Sequence, residues 1–584
     1  MRKGTAIPIV FSLALLASAV HAQPTGIDAG SLLRQEEEAQ RAAPRPLPSR
    51  REPVPLPELT SIGGITVRVN EVRFTGATEL LGQSALNESV AEGLDRVLDF
   101  NGLKALAARV TRELKAAGWI LARAYLPEQD VTGGTVIIGI LPGFLDQDGE
   151  AIEVRPLGDR PLRVDPRLLQ SIATQSLGPQ LAIRETDLDR ALLIMNDLPS
   201  VTARARLERG ASPGSSRIVI NASEPRLLTA TAMGNSFGNR STGVEQAYLG
   251  LQLNDPFGAG DRLSLGLTHA EGLRLSQLAY QRLQGTSGLA LSANYTDLRY
   301  EVVAGAAAEA ADYKGDAHTF SLGFRYPHVR SRRVNVWSNV QLGRDVFVDR
   351  IDSLRTGDKL VLHGSYALEG SVLDPWRGGG RTDWLLKPTW GELNLARIPG
   401  ARDADAKSFQ TAGGFGKLEY SLSRLQSLQP GFSVYASLNG QLSTKNLDTS
   451  QKFRPAGPNG VRAYAGSEAA ADQGVLLKTE LRFEGRAPKG VGRFTAMAFY
   501  DAAWVGLSAN RPANVPIDTR SGENRYRIEG AGLGASLNRP GRYLLRVIWA
   551  RKIGSNPGDA RATGRDNEDR DDNHRVWLQG VLWL

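Results

Sequence analysis

Cysteine is absent from all 584 residues. Disulfide staples and thiolate metal centres are therefore excluded. Histidine is scarce: the six present, at 21, 269, 318, 328, 363 and 574, never form an HExxH pair. That argues against a metal hydrolase, and no convergent catalytic cluster or cofactor motif stands elsewhere. The net charge of +8 is modest for the length, and no dense Lys/Arg block gathers it. Nucleic-acid binding calls for such a patch, so none is expected. Beyond the first residues, no apolar run reaches the about 20 residues that a spanning helix needs.

The chain does contain an export signal. A basic "MRK", the apolar "IPIVFSLALLASAV" and the small-residue site "VHAQ" read as a secretory signal peptide over residues 1–22, cut after Ala22. An exported chain with no spanning helix is either soluble or a membrane β-barrel.

Residues 31–43, "SLLRQEEEAQRAA", are good helix formers but polar nearly all round beyond Leu32 and Leu33. Six prolines follow between Pro44 and Pro57. They predict an extended, semi-rigid spacer over residues 44–64. A polar helix thus hangs on a tether.

From residue 65 the pattern is strand, helix, helix, strand, strand, and from about 144 it repeats. The predicted units are 65–143 and 144–225. In the first, "ITVRVNEVRFTG" alternates as one strand and "LNESVAEGLDRVLDF" has helical spacing. The repeat is one of structure rather than of residue identity.

Beyond residue 226 helical spacing disappears. About sixteen runs of roughly ten residues with period-2 apolarity alternate with polar, Gly- and Asp-rich turns, as expected of an outer-membrane barrel. Gln246, Gln252, Ser264, Thr268, Ser437, Asn439, Gln441, Lys478, Glu480 and Arg482 fall on the polar face and are assigned to a wet lumen. Trp504, Trp549, Trp577 and Trp583 are expected as membrane-interface anchors. "GAGLG", residues 530–534, has the look of a phosphate loop but lies in a strand pattern, so small residues in a barrel wall are the better reading.

Two short stretches carry a resemblance. "VRAY" (Val461, Arg462, Ala463, Tyr464) resembles the VRGY/F motif of the two-partner secretion transporters, the exporters of filamentous haemagglutinin and haemolysin type, and "FYDAAW" (499–504) resembles their FxDxG motif. The turn "NDPFGAGD" (254–261) is similar to one early in that family's barrel. The resemblance spans essentially the whole mature chain. Ala463 and Ala503 stand where the motifs have glycine, and the chain ends in Leu584 where such barrels commonly end in Phe.

The resemblance implies a mostly β chain. A 16-stranded transmembrane β-barrel (226–584) would follow two small α/β POTRA domains and an N-terminal plug helix (23–43). The plug would carry Ser31, Leu32, Leu33, Arg34, Glu36 and Glu37. A loop at about 442–473 would fold inward and present Val461, Arg462 and Tyr464, with Arg462 latched to Asp501 beside Phe499 on the wall. Arginine suits that task because its planar fork binds a carboxylate bidentately. The implied function is export of one large partner protein of adhesin, haemolysin or toxin class. The POTRA domains would bind the partner unfolded, and a monomeric barrel in outer-membrane lipid would conduct it, with no catalysis and no cofactor. The alternative within the same superfamily is a factor that assembles other barrels.

Overall fold

The computed structural model describes residues 27–40, 66–146, 150–178, 182–211, 215–305, 311–486, 490–511 and 515–584. The expected signal peptide and the Pro-rich spacer lie outside the described residues.

Sixteen antiparallel strands close into a barrel, from Leu228–Asn235 to His574–Trp583. Closure joins the last strand to the first, with Thr231 opposite Trp583 and Asn235 opposite Gln579. The alternation that forms these strands also orients them. In Gln473–Arg486, Val475, Leu477, Leu481 and Phe483 take one face and Lys478, Glu480 and Arg482 the other. The first set faces outward, where Leu481 and Phe483 are exposed, and the second faces the lumen. In the last strand Val576, Leu578 and Leu582 face outward in the same way.

The two α/β repeats precede the barrel. In each, the strand that comes last in sequence takes the centre of the sheet. Thr135–Leu141 lies parallel to Glu71–Gly76 and antiparallel to Arg123–Tyr125. Likewise Ser215–Ser223 lies parallel to Ile152–Pro156 and antiparallel to Thr202–Arg209. Two helices cover each sheet: Gln83–Val90 and Phe100–Ala116 in the first, Pro166–Leu177 and Glu185–Met195 in the second. Asp165 accepts from Arg167 N–H at the start of Pro166–Leu177, whose first position is the proline that suits it.

Two details of the first repeat differ from the periodicity. The single strand expected from residue 65 is two. Thr66–Arg68 pairs with Val97–Asp99, and only Glu71–Gly76 enters the main sheet. The chain changes partner at Val69 and Asn70, whose N–H groups donate to Arg96 O and Gly134 O. The helix expected to continue to Phe100 stops at Val90. A single 3-10 turn follows, and Asp95 has φ of 58°, a left-handed conformation that no helix continues through.

The second repeat is fastened to one mouth of the barrel. Arg330 forks onto Asp197 with two bonds of 2.7 Å. Arg332 reaches Asp189 at 2.5 Å. The turn between the second and third barrel strands, which holds Asp255 to Asp261, packs here. Gly258 O accepts from Asp165 N–H at 3.0 Å, and Ser200 Oγ donates to Asp261 O at 2.6 Å.

Candidate functional site

The lumen holds two separate pieces of chain. One is the helix Ala29–Ala39. It starts two residues before the stretch singled out in the sequence, because Asp28 caps it: the Asp28 carboxylate accepts from Ser31 N–H, and the Ser31 hydroxyl accepts from Asp28 N–H at 3.1 Å. This reciprocal cap fixes Ser31, which is buried. Leu32 and Leu33 insert into an apolar patch of the wall that includes Leu275, Leu298, Tyr300 and Phe347. Burying two leucines gives about 1.5–3 kcal/mol each. The polar side meets polar wall residues. Arg34 pairs with Glu419 at 2.8 Å, Glu36 accepts from Gln246 at 2.7 Å, and Asn239 donates to Gln35 at 3.3 Å. Glu37 lies against Arg34 at 3.2 Å and is the most exposed of the named helix residues. Beside the helix a cavity of about 520 Å³ remains, lined in part by Leu33, Arg34, Gln277, Asn294, Asp345 and His363.

The other piece is residues 444–472, which leave the strand Phe432–Ser443, turn into the lumen and return at Gln473–Arg486. Its tip meets the strand Arg493–Gly506. Arg462 is 2 % exposed and Asp501 0 %. The guanidinium forks onto Asp501, with Nε to Oδ2 at 2.8 Å and Nη2 to Oδ1 at 2.7 Å. Its remaining nitrogen, Nη1, donates to Glu480 Oε1 at 2.8 Å. The charged plane lies over the Phe499 ring, 3.5 Å from the centroid. Val461 and Tyr464 are buried with Phe499 in one apolar cluster. Arg482 holds the second Glu480 oxygen at 2.6 Å, and Lys478 donates to Asn459 O at 2.8 Å.

Glu480 as a second carboxylate for Arg462 is absent from the motif pair. Sequence alternation places it in the lumen but does not say that a loop about twenty residues upstream reaches it. The lumen itself is drier here than the alternation implied. Gln441 donates to loop carbonyls at Gln451 and Asp472, both at 3.1 Å, and Gln246, Lys478 and Glu480 also face protein.

Two of the four tryptophans are not membrane anchors. Trp577 is 3 % exposed, and its indole N–H donates to Arg462 O at 2.8 Å. Trp583 lies three alternations further along the same inner face, at the end of the strand. Trp504 and Trp549 face outward at 44 % and 43 % exposure. The small residues at 530–534 have a specific use. A methyl added at Gly530 would stand 2.6 Å from the Ala463 Cβ. Gly530 on the wall leaves room for the methyl that Ala463 carries where the motif has glycine.

With this geometry in view, the comparisons are specific. The POTRA domain of ShlB type matches residues 67–143, and the haemolysin secretion/activation protein family ShlB/FhaC/HecB matches residues 214–352 and 390–536. The chain belongs to this family, the two-partner secretion transporters. It is 24% identical to the heme/hemopexin transporter protein HuxB of Haemophilus influenzae, over 83% of this chain and 81% of that protein. The structure of CdiB from Escherichia coli superposes with a TM-score of 0.66 at 17% identity, covering 96% of this chain and 99% of that one. BamA from Haemophilus ducreyi lacking POTRA domains 1–3 shares the fold more distantly, with a TM-score of 0.50 at 14% identity over 88% of this chain. The transporter is an outer-membrane β-barrel with periplasmic POTRA domains and belongs to a two-partner secretion system. Its family carries large exported partner proteins.

Proposed function

We propose that the transporter binds its partner unfolded and passes it through the lumen once the helix Ala29–Ala39 has left. The barrel acts as a single copy and does no covalent chemistry. The observation that supports this reading is a lumen closed by two pieces of different character: a tethered helix on mostly polar contacts and a loop held by a buried charge cluster. Capture would begin at the periplasmic repeats. Thr202–Arg209 is an edge strand whose one partner among the described residues is Ser215–Ser223. An extended segment of partner adds there by backbone hydrogen bonds with little demand on sequence. In the periplasm no ATP is available, so folding of the partner outside would make passage one-way.

Arg462 then serves as the latch of the inward loop, with Asp501 and Glu480 as its wall partners. Membership of the haemolysin secretion/activation family points to a long, β-prone partner of adhesin, haemolysin or toxin class.

The test is site-specific photocrosslinking. A crosslinker placed at Gln277, on the wall of the cavity beside the helix, should trap partner during export. Secretion at the normal rate with no partner adduct at any cavity-lining position would reject passage through this lumen.

A further inference from the structure

We propose that Lys359 couples the plug to the inward loop, so that one wall ammonium holds both pieces at the extracellular end of the lumen. This rests on the reading of Ala29–Ala39 as a removable plug. Lys359 lies on the barrel strand Leu354–Asp374 and contacts neither Arg462 nor its carboxylates. Its Nζ is 2.8 Å from Asp28 Oδ2 and 2.9 Å from Asp448 Oδ2.

The two aspartates have matching jobs. Asp28 caps the plug helix through Oδ1, which accepts from Ser31 N–H at 2.6 Å. Asp448 caps the 3-10 turn Thr449–Gln451 of the loop through its own Oδ1, which accepts from Ser450 N–H at 3.1 Å. Each carboxylate therefore spends one oxygen on its own helical start and gives the other to the same ammonium. Thr449 Oγ1 ties the two starts directly, donating to Asp28 Oδ2 at 2.5 Å. The backbones are in close approach as well, since a methyl added at Gly30 would stand 2.7 Å from Ser450 Cβ. A neighbouring wall carboxylate, Asp349, takes Ala29 N–H at 2.9 Å and the Tyr300 hydroxyl at 2.8 Å.

Without the ammonium, two buried carboxylates face each other across no more than two hydrogen-bond lengths. Repulsion then acts on the plug and the loop together. With the ammonium, the loop's Asp448 helps hold the cation that holds the plug. Departure of the plug leaves Lys359 to Asp448 alone. At the deep end Asn459 Nδ2 loses Glu38 O and Ala39 O, to which it donates at 2.8 and 3.1 Å, while the Arg462 fork keeps its wall partners Asp501 and Glu480.

The experiment measures ion current through the purified full chain in planar bilayers. It compares wild type, Lys359→Met, Lys359→Arg, Asp28→Asn, Asp448→Asn, the double Asp28→Asn/Asp448→Asn and a chain lacking Ala29–Ala39. Lys359→Met should raise the frequency of open events by about tenfold, and Lys359→Arg should return it toward wild type. The two aspartate substitutions should be non-additive, the double variant opening less often than the product of the single effects predicts. Wild-type current from Lys359→Met, in a setting where the chain lacking the helix conducts more, would overturn the coupling and leave the plug intact as a reading. No change from the deletion itself would instead reject the plug. Additive aspartate effects would overturn the shared fastening.

Discussion

The inward loop and the N-terminal helix share one lumen, but they are held in different ways. The loop is joined to the wall at both ends, and its tip is enclosed on every side. Phe499 lies beneath the guanidinium, Asp501 and Glu480 bind it, Trp577 holds its backbone, and Val461 and Tyr464 pack into the apolar cluster. The helix packs two leucines on one side, is held on others by polar contacts from Asp28, Arg34, Gln35 and Glu36 and by Asn459 at its end, and leaves a cavity of about 520 Å³ at its flank. When the helix leaves it enters water, which replaces the partners that its polar groups lose. When the loop leaves, a nearly dry cluster of charges must be separated. The comparison predicts an order of events, in which the helix goes while the loop stays.

The largest effect should come from breaking the loop's side of that comparison. Arg462→Ala leaves Asp501 and Glu480 buried without their cation. Removing one member of a buried pair costs about 3–5 kcal/mol, enough to free the loop tip. Export of the partner, measured by immunoblot of the medium, should fall by more than about tenfold, while heat-modifiable mobility shows a folded barrel. Normal export from a correctly inserted variant would remove the latch. The helix's side predicts the opposite balance. Deleting Ala29–Ala39 should raise ion conductance in bilayers several-fold and leave partner export measurable. Lost export with unchanged conductance would reverse the roles assigned to the two pieces.

The sharper contrast lies in what the sequence could reveal about each piece. The barrel was legible because lipid imposes period 2 on every strand, and the repeats were legible because helix and strand periods differ. The helix was legible from its composition, but not its role for Leu32 and Leu33, since two leucines in a polar segment give no direction until a wall faces them. The cap at Asp28 was missed because Asp28 stands before the run of helix formers. Alternation assigns Glu480, Trp577 and Gly530 to lumen, membrane interface and wall. Each acquires its part from a contact with the loop across long sequence separation, and alternation carries no such information. Trp577 shows the limit most plainly. A tryptophan in the last strand reads the same whether it faces lipid or lumen, and only the strand's register decides.

Gly530 offers a finer test of how closely the loop fits. Gly530→Ala would bring a methyl to 2.6 Å from the Ala463 Cβ. Overpacking of this kind costs about 1–3 kcal/mol. Export should fall by less than in Arg462→Ala. Adding Ala463→Gly should restore it, because the pair then has one methyl between them again. A double variant no better than Gly530→Ala would show that the contact is not what limits the loop.

The smallest effect, and the most discriminating, is expected at Trp577. Phenylalanine keeps most of the apolar contact, including the edge-on approach to Phe237 at 5.9 Å between centroids. It removes the one indole N–H that donates to Arg462 O. A buried carbonyl left without that donor costs about 1 kcal/mol, which is about fivefold in an opening equilibrium. Hydrogen exchange over residues 455–466 should quicken by about that factor, with the Arg462 fork intact and export nearly normal. Trp549→Phe, on the outward face, should leave the same exchange unchanged. If the two variants behave alike, Trp577 does not hold the loop, and the lumen's deep fastening reduces to the guanidinium and its two carboxylates.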